Sequence, residues 1–220
     1  MNARFRRVRV WDAPTRLFHW AVVILVIAAY VTWRLDWMDW HTRCGDAVLV
    51  LGLFRVLWGF FGSETARFAR FLAAPRAAAH HLSRAFVREA DRQVGHNAAG
   101  GWMVLLLVLL LLGETLTGLY VANDVADEGP LTELTPAAVA NAITALHGIL
   151  WDALLAAVAL HLLAIGVYAA VKGQNLLRPM ITGWKLLPDG VRQPGMASAW
   201  RAAVLLGCSA LATAVLARFL

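Results

Sequence analysis

Two histidines, His147 and His161, lie fourteen residues apart within one hydrophobic run. At about 100° and 1.5 Å per helical residue, fourteen steps return both rings to one face, roughly 21 Å apart along the axis. A hydrocarbon core is about 30 Å thick, so one ring falls toward each membrane face. Ionisable groups inside a membrane segment mark function by default. Imidazoles stacked this way suit axial ligation of two haems. An iron held by two histidines has no open position, which favours electron transfer over oxygen binding.

Each haem then needs a second imidazole from another helix at the same depth. The helices come from hydropathy. The chain has 220 residues, of which 60% are hydrophobic and 15% charged. Five runs reach spanning length with few charges: 18–35, 44–62, 101–122, 142–171 (spanning from about Leu146) and 200–219. The first is not a cleavable signal peptide, since it lacks an Ala-x-Ala exit and carries His19 near its start. Cys44 and Cys208 are isolated, so neither a disulfide framework nor a covalently attached c-type haem is indicated.

Charge sets the orientation. Arg4, Arg6, Arg7, Arg9 and Arg16 precede the first span, and six arginines lie between residues 67 and 92. The connection at 123–141 has no basic residue and carries Asp124, Asp127, Glu128 and Glu133. The positive-inside rule places the N-terminus in the cytoplasm and, with five spans, the C-terminus in the periplasm. The net charge of +6 is accounted for by topology and contact with the lipid bilayer, not by nucleic acid. Residues 64–93 mix phenylalanines and leucines with arginines, which predicts a helix lying at the headgroups.

This topology sorts the histidines. His19 is near the cytoplasmic face and His41 near the outer face. In the fourth span His147 is outer and His161 inner. Two depth-matched pairs follow: His19 with His161 on the inner haem iron, and His41 with His147 on the outer. One histidine at a membrane edge is an ordinary polar anchor; four forming two such pairs are not. His96, before the third span, suits a capping or interfacial role, or a hydrogen bond to a haem propionate or quinone, better than ligation. His80 and His81 are expected in a solvated or lipid-facing position.

At these residues the chain resembles the bacterial cytochrome b561 and nickel–iron hydrogenase b-type cytochrome family. The resemblance runs from about Arg9 to Trp184. It rests on the opening Val10-Trp11-Asp12-Ala13-Pro14-Thr15-Arg16-Leu17-Phe18-His19-Trp20, on His41-Thr42-Arg43-Cys44-Gly45, and on Gly95-His96-Asn97. The pair His147 and His161, followed by Asn175-Leu176-Leu177-Arg178-Pro179, completes it. The resemblance implies that His19, His41, His147 and His161 hold two haem b groups in a small helical bundle.

The expected fold is therefore all-α: an integral membrane helical bundle with a four-helix dihaem core (1–185), then a linker and a fifth C-terminal transmembrane helix (186–220). Several residues could tune the cofactors. Arg55 lies inside the second span and needs a propionate or quinone partner unless it snorkels to the inner surface. Arg16, one turn before His19, could serve the inner haem and Arg43, beside His41, the outer one, or both could equally be lipid-facing topology charges. Glu114 is a carboxyl in the third span, suited to a proton or hydrogen-bond role. Gly45, Gly52, Gly148 and Gly166 leave room for a macrocycle or a neighbouring helix.

The function expected is transmembrane electron transfer linking the quinone pool to a periplasmic cytochrome c, another redox protein or a small redox substrate. The resemblance leaves open a quinone-linked oxidoreductase with superoxide or a hydrogenase-type partner. The alternative is a membrane anchor subunit of a larger oxidoreductase complex, with electron relay secondary; a homodimer is also compatible. A transporter using Glu114 and Arg55 would call for internal symmetry, and the sequence has no inverted repeat. The expected location is the bacterial inner membrane.

Overall fold

The computed structural model describes residues 4–84, 86–88, 91–121, 129 and 131–219. Asp124, Asp127 and Glu128 of the expected acidic connection lie outside the described residues. In chain order the elements are strand β1 (Phe5–Arg9), then helices α1 (Ala13–Arg34), α2 (Met38–Phe61), α3 (Phe68–Phe71), α4 (Pro75–Ser83), α5 (Ala98–Gly118), α6 (Ala137–Ala170) and α7 (Leu177–Thr182), strand β2 (Trp184–Pro188) and helix α8 (Ala199–Phe219).

Helices α1, α2, α5, α6 and α8 are each long and apolar enough to cross a membrane. They leave many large hydrophobic side chains exposed, among them Ile24, Leu109, Leu160 and Leu163. An apolar surface of that extent calls for lipid as its solvent. The chain is an all-α, multi-pass membrane protein. All five expected spans are present, but α1, α2 and α6 begin five or six residues earlier than hydropathy predicts. Their first turns hold polar residues, such as Thr15 and Arg16 or Asp39 and Thr42. Hydropathy counts those as connection, whereas backbone hydrogen bonding carries the helix through them.

Capping explains where the spans start and stop. Asp12 N-caps α1, its Oδ1 accepting from the Thr15 N–H at 2.6 Å, with Pro14 in the first turn. At the other end Asp36 adopts a left-handed φ of 58°. The Trp37 N–H donates to Thr32 O at 2.9 Å and the Asp36 N–H to Trp33 O at 3.2 Å, closing a Schellman turn at a position usually held by glycine. Asn97 caps α5 through the Gly100 N–H at 2.7 Å.

Two features differ from the expectation. The interfacial stretch is not one helix: a 3-10 turn at Glu64–Ala66 leads to the short α3 and α4, with Pro75 opening the latter. A small antiparallel ribbon also forms, pairing Phe5 with Pro188 through Arg9 with Trp184. It buries Val8 and Leu187 with Val10 and Trp11. Strands of only five residues, Phe5–Arg9 and Trp184–Pro188, give little periodic signal.

Contacts divide the chain into two compact units, and each of the five long helices contributes a stretch to both. The first comprises residues 1–17, 57–106 and 157–202; the second comprises 18–56, 107–156 and 203–220. In the first unit the segment leading into α8 is tied to the end of α2. Glu64 Oε2 accepts from the Gly195 N–H at 3.0 Å and from Arg192 at 3.2 Å, while Oε1 pairs with Arg70 at 3.2 Å. Ser63 Oγ accepts from the Ala197 N–H at 2.9 Å, and Arg201 donates to Phe61 O at 3.1 Å. In the second unit Leu49, Leu119 and Leu131 form a core flanked by Leu53, Leu112 and Tyr120.

The Glu64 cluster gives a pH prediction. The Gly195 N–H, then Arg192, Arg70 and Arg67, hold its carboxyl below the ordinary 4.5. A carboxyl with a depressed folded pKa contributes stability above its unfolded pKa, and that stability is lost as pH falls through the folded value. Glu64→Gln is therefore expected to melt lower than the parent at pH 7. The gap should narrow below about pH 4.5, where the parent carboxyl begins to protonate in the unfolded chain. Thermal melts of both proteins across pH 3–7 in one detergent check this, and a gap that is constant with pH would rule out the ion cluster as its source.

Candidate functional site

The second unit holds both histidines of the expected outer pair. His41 stands in the first turns of α2, and its Nδ1 lies 2.9 Å from the main-chain oxygen of Ala29 in α1. His147 stands in α6, and its Nδ1 lies 3.0 Å from the main-chain oxygen of Glu114 in α5. A carbonyl only accepts, so in each bond Nδ1 carries the proton. In a neutral ring the lone pair is then on Nε2, the arrangement found where a metal-binding imidazole gives its other N–H to a carbonyl.

The end of α5 is shaped around His147. Thr117 Oγ1 lies 3.0 Å from Nδ1 and donates its own proton to the carbonyl of Gly113 or Glu114, at 2.8 and 2.9 Å. Its oxygen therefore accepts a share of the Nδ1 proton. A Cβ at Gly118 would stand 3.3 Å from His147 Cε1, so a glycine there leaves the ring its place. Glu114 also reaches the other edge, with Oε1 3.3 Å from Nε2. For Nε2 to hold a haem iron, this carboxylate would have to turn away. None of Ala29, Thr117 and Gly118 was singled out in the sequence. The only signal for Thr117 is its i+3 spacing from Glu114 on one helical face.

The donor set fits a b-type haem at this site. Two imidazoles offer Nε2 once the Glu114 carboxylate turns aside, and of the nearby glycines Gly45 is half-buried whereas Gly148 lies on the exposed surface of α6. A Cβ at Gly45, one turn beyond His41, or at Gly148, beside His147, would meet nothing within 4 Å. Gly166 is equally open, whereas a Cβ at Gly52 would stand 2.8 Å from Leu112 Cδ2, making Gly52 a helix-packing residue.

His19 belongs to α1 in the second unit, its ring edge-on to Trp20 at 4.9 Å between centroids. His161 belongs to α6 in the first unit and is half-buried. Arg55 is only 2% exposed, so it does not snorkel to the surface. Arg16 donates to Ile181 O at 2.5 Å and Asp12 O at 3.3 Å. Arg43 is exposed and lies over the Trp40 ring at 5.1 Å.

The remaining histidines depart from expectation in part. The cap before α5 is Asn97, not His96, whose ring lies between Trp11 and Phe71 at 4.5 and 4.9 Å. His80 is exposed as expected. His81 instead meets the Tyr168 hydroxyl, which also accepts from Asn97 Nδ2 at 2.8 Å.

Residues 10–183 match the family of prokaryotic cytochrome b561. The chain belongs to that family. Neither the curated proteins nor the solved structures give a match. A prokaryotic cytochrome b561 is a membrane b-type cytochrome of transmembrane electron transfer, and its prosthetic group is b-type haem. The match ends before α8, so the fifth span lies outside the part of the chain that carries the family.

Proposed function

We propose that this cytochrome carries electrons across the bacterial inner membrane through two b-type haems, one held by His41 and His147 and the other by His19 and His161. The observation that supports the reading is the pair of Nδ1–H bonds to the carbonyls of Ala29 and Glu114, which make Nε2 the ligating nitrogen of each ring, with the Glu114 carboxylate, 3.3 Å from Nε2 of His147, having to turn aside for iron. The second pair rests on chain order and on the resemblance of the histidine motifs. A haem b between two imidazoles supplies a one-electron iron couple with no open position.

The chain's own residues do the rest. Hydrogen bonds at Nδ1 orient each ring and raise its basicity. The apolar faces of the spans exclude water from the path. Arg55, buried in α2, is assigned to a haem propionate or to the quinone head. The quinone pool serves one end of the path, and a periplasmic redox protein such as a soluble cytochrome c, or a small oxidant or reductant, serves the other. The arginine distribution supports an N-terminus in the cytoplasm and a C-terminus in the periplasm.

The deciding experiment is haem quantification with a reduced-minus-oxidised spectrum on the purified chain. About two low-spin haem b per chain is the expected result, as bis-histidine ligation requires. One haem would remove one pair from the proposal, and none in folded protein would end it. Arg55→Leu supplies a finer check. Loss of a buried cation favours the oxidised state, so the potential of the haem assigned to His19 and His161 should fall more than the other. The expected drop is on the order of 60 mV, one tenfold step in a one-electron equilibrium. Equal or absent shifts in a redox titration would detach Arg55 from that haem.

A further inference from the structure

Apart from the histidine site, the first unit carries a basic cavity at the ends of two spans. It measures about 310 Å³ and is lined by Glu64, Arg67, Arg70, Ser198 and Arg201 among others. Its charge comes from three arginines against one carboxylate, and Arg192 stands beside them on the same carboxylate. Chain order puts the end of α2 and the start of α8 on the N-terminal side of the membrane, the side that the arginines assign to the cytoplasm.

The carboxylate is already engaged. Glu64 accepts from Gly195, Arg192 and Arg70, so it stays ionised and holds two guanidinium groups in place. Arg67 gives its Nε to Gly62 O at 2.9 Å and Arg201 gives one Nη to Phe61 O. Each guanidinium has five N–H donors in a planar fork, a geometry that matches phosphate oxygens. The surroundings are apolar and face outward: Phe60 and Phe61 at the end of α2 are exposed, and Trp200 at the start of α8 is 77% exposed. A floor of arginines with an exposed aromatic rim at a span terminus matches an amphiphile better than a free ion.

We propose that the cavity formed by Arg67, Arg70 and Arg201 binds the phosphate of an anionic phospholipid headgroup, with the acyl chains lying against Phe60, Phe61 and Trp200. This site would fasten the fifth span, through Arg201 and the Glu64 cluster, to the lipid of the cytoplasmic leaflet. The proposal does not depend on the number of haems or on their ligands.

The test uses the full-length, haem-loaded protein in mild detergent, analysed by native mass spectrometry with three probes: dioleoylphosphatidylglycerol, dioleoylphosphatidylcholine and inorganic phosphate. One phosphatidylglycerol per chain should bind at least about tenfold more tightly than phosphatidylcholine, the scale of two or more arginine contacts at an anionic surface. The Arg70→Gln, Arg201→Gln double variant should lose about that factor with its haem spectrum unchanged. Arg70→Gln alone should lose part of it; this side chain is 60% exposed, so the single variant is safe for folding. Equal retention of the two lipids, or variants that bind phosphatidylglycerol as the parent does, would overturn the site. Millimolar phosphate that displaces the lipid completely while binding as well itself would overturn the lipid assignment in favour of a free anion.

Discussion

Replacing His147 with alanine is expected to lower the haem content from about two per chain to about one, leaving a low-spin bis-histidine spectrum for the haem that remains. Two contacts of the His147 ring, Glu114 O and Thr117 Oγ1, serve only to hold Nδ1, and Gly118 keeps the space at Cε1 open. Alanine removes the ligand and leaves its supports in place, so the fold should survive the loss. His41→Ala should remove the same haem, because both imidazoles are needed to hold it. The double variant His41→Ala, His147→Ala should then retain as much haem as either single variant. Such non-additivity is the signature of two groups acting as one site. His161→Ala should remove the other haem. Pyridine haemochrome quantification on all four proteins, normalised to chain concentration, provides the answer. A His147→Ala protein that keeps both haems or loses both would sink the depth-paired arrangement. Gly118→Val offers a gentler probe: a branched side chain 3.3 Å from Cε1 must push the ring, and it should weaken haem retention without removing a ligand.

The histidine periodicity was legible because it rests on helix geometry, which fixes the face and rise of every residue in a long span. His147 and His161 do fall in one uninterrupted helix, Ala137–Ala170. The spans were legible for a related reason, since hydropathy reports the solvent that a segment prefers. Their first turns were not, because Asp39 or Arg16 reads as polar whether it is helical or not. What holds a ligand in place was less visible still. The bond from His41 to Ala29 O joins a side chain to a main-chain atom in another helix, and a carbonyl leaves no residue type to recognise. The ribbon of β1 with β2 joins residues far apart in sequence, and its strands are too short for alternation to stand out. Arg55 shows the intermediate case. Its position in α2 pointed to two outcomes, and only burial separates a guanidinium held inside from one that reaches the surface.

The largest stability effect is expected at Asp12, a residue with no ligand role. Its two carboxylate oxygens do different work in the first unit: Oδ1 caps α1 through the Thr15 N–H, and Oδ2 accepts from the indole N–H of Trp58 at 3.1 Å. Trp58 is 0% exposed, so its N–H has no access to water if that acceptor is lost. Removing the cap costs about 1 kcal/mol, and leaving a buried donor unsatisfied costs roughly 1–3 kcal/mol more. Asp12→Ala should thus destabilise the protein by roughly 2–4 kcal/mol. Asp12→Asn separates the two roles. Its amide oxygen can still cap the helix, but the nitrogen placed at Oδ2 donates and cannot accept from the indole. Trp58→Phe removes the indole donor, so the Asn change should cost less in that background than in the parent. Unfolding measurements on the four members of this cycle give the coupling energy directly, and the expected value is about 1 kcal/mol or more. A coupling near zero would mean that Trp58 is held by packing alone. The same cycle bears on function through α1: the helix that Asp12 starts carries His19 as its seventh residue. Loosening its first turn should therefore lower the temperature at which the haem assigned to His19 and His161 is released by more than that of the haem assigned to His41 and His147, whose α1 contact, Ala29, lies about four to five turns from Asp12.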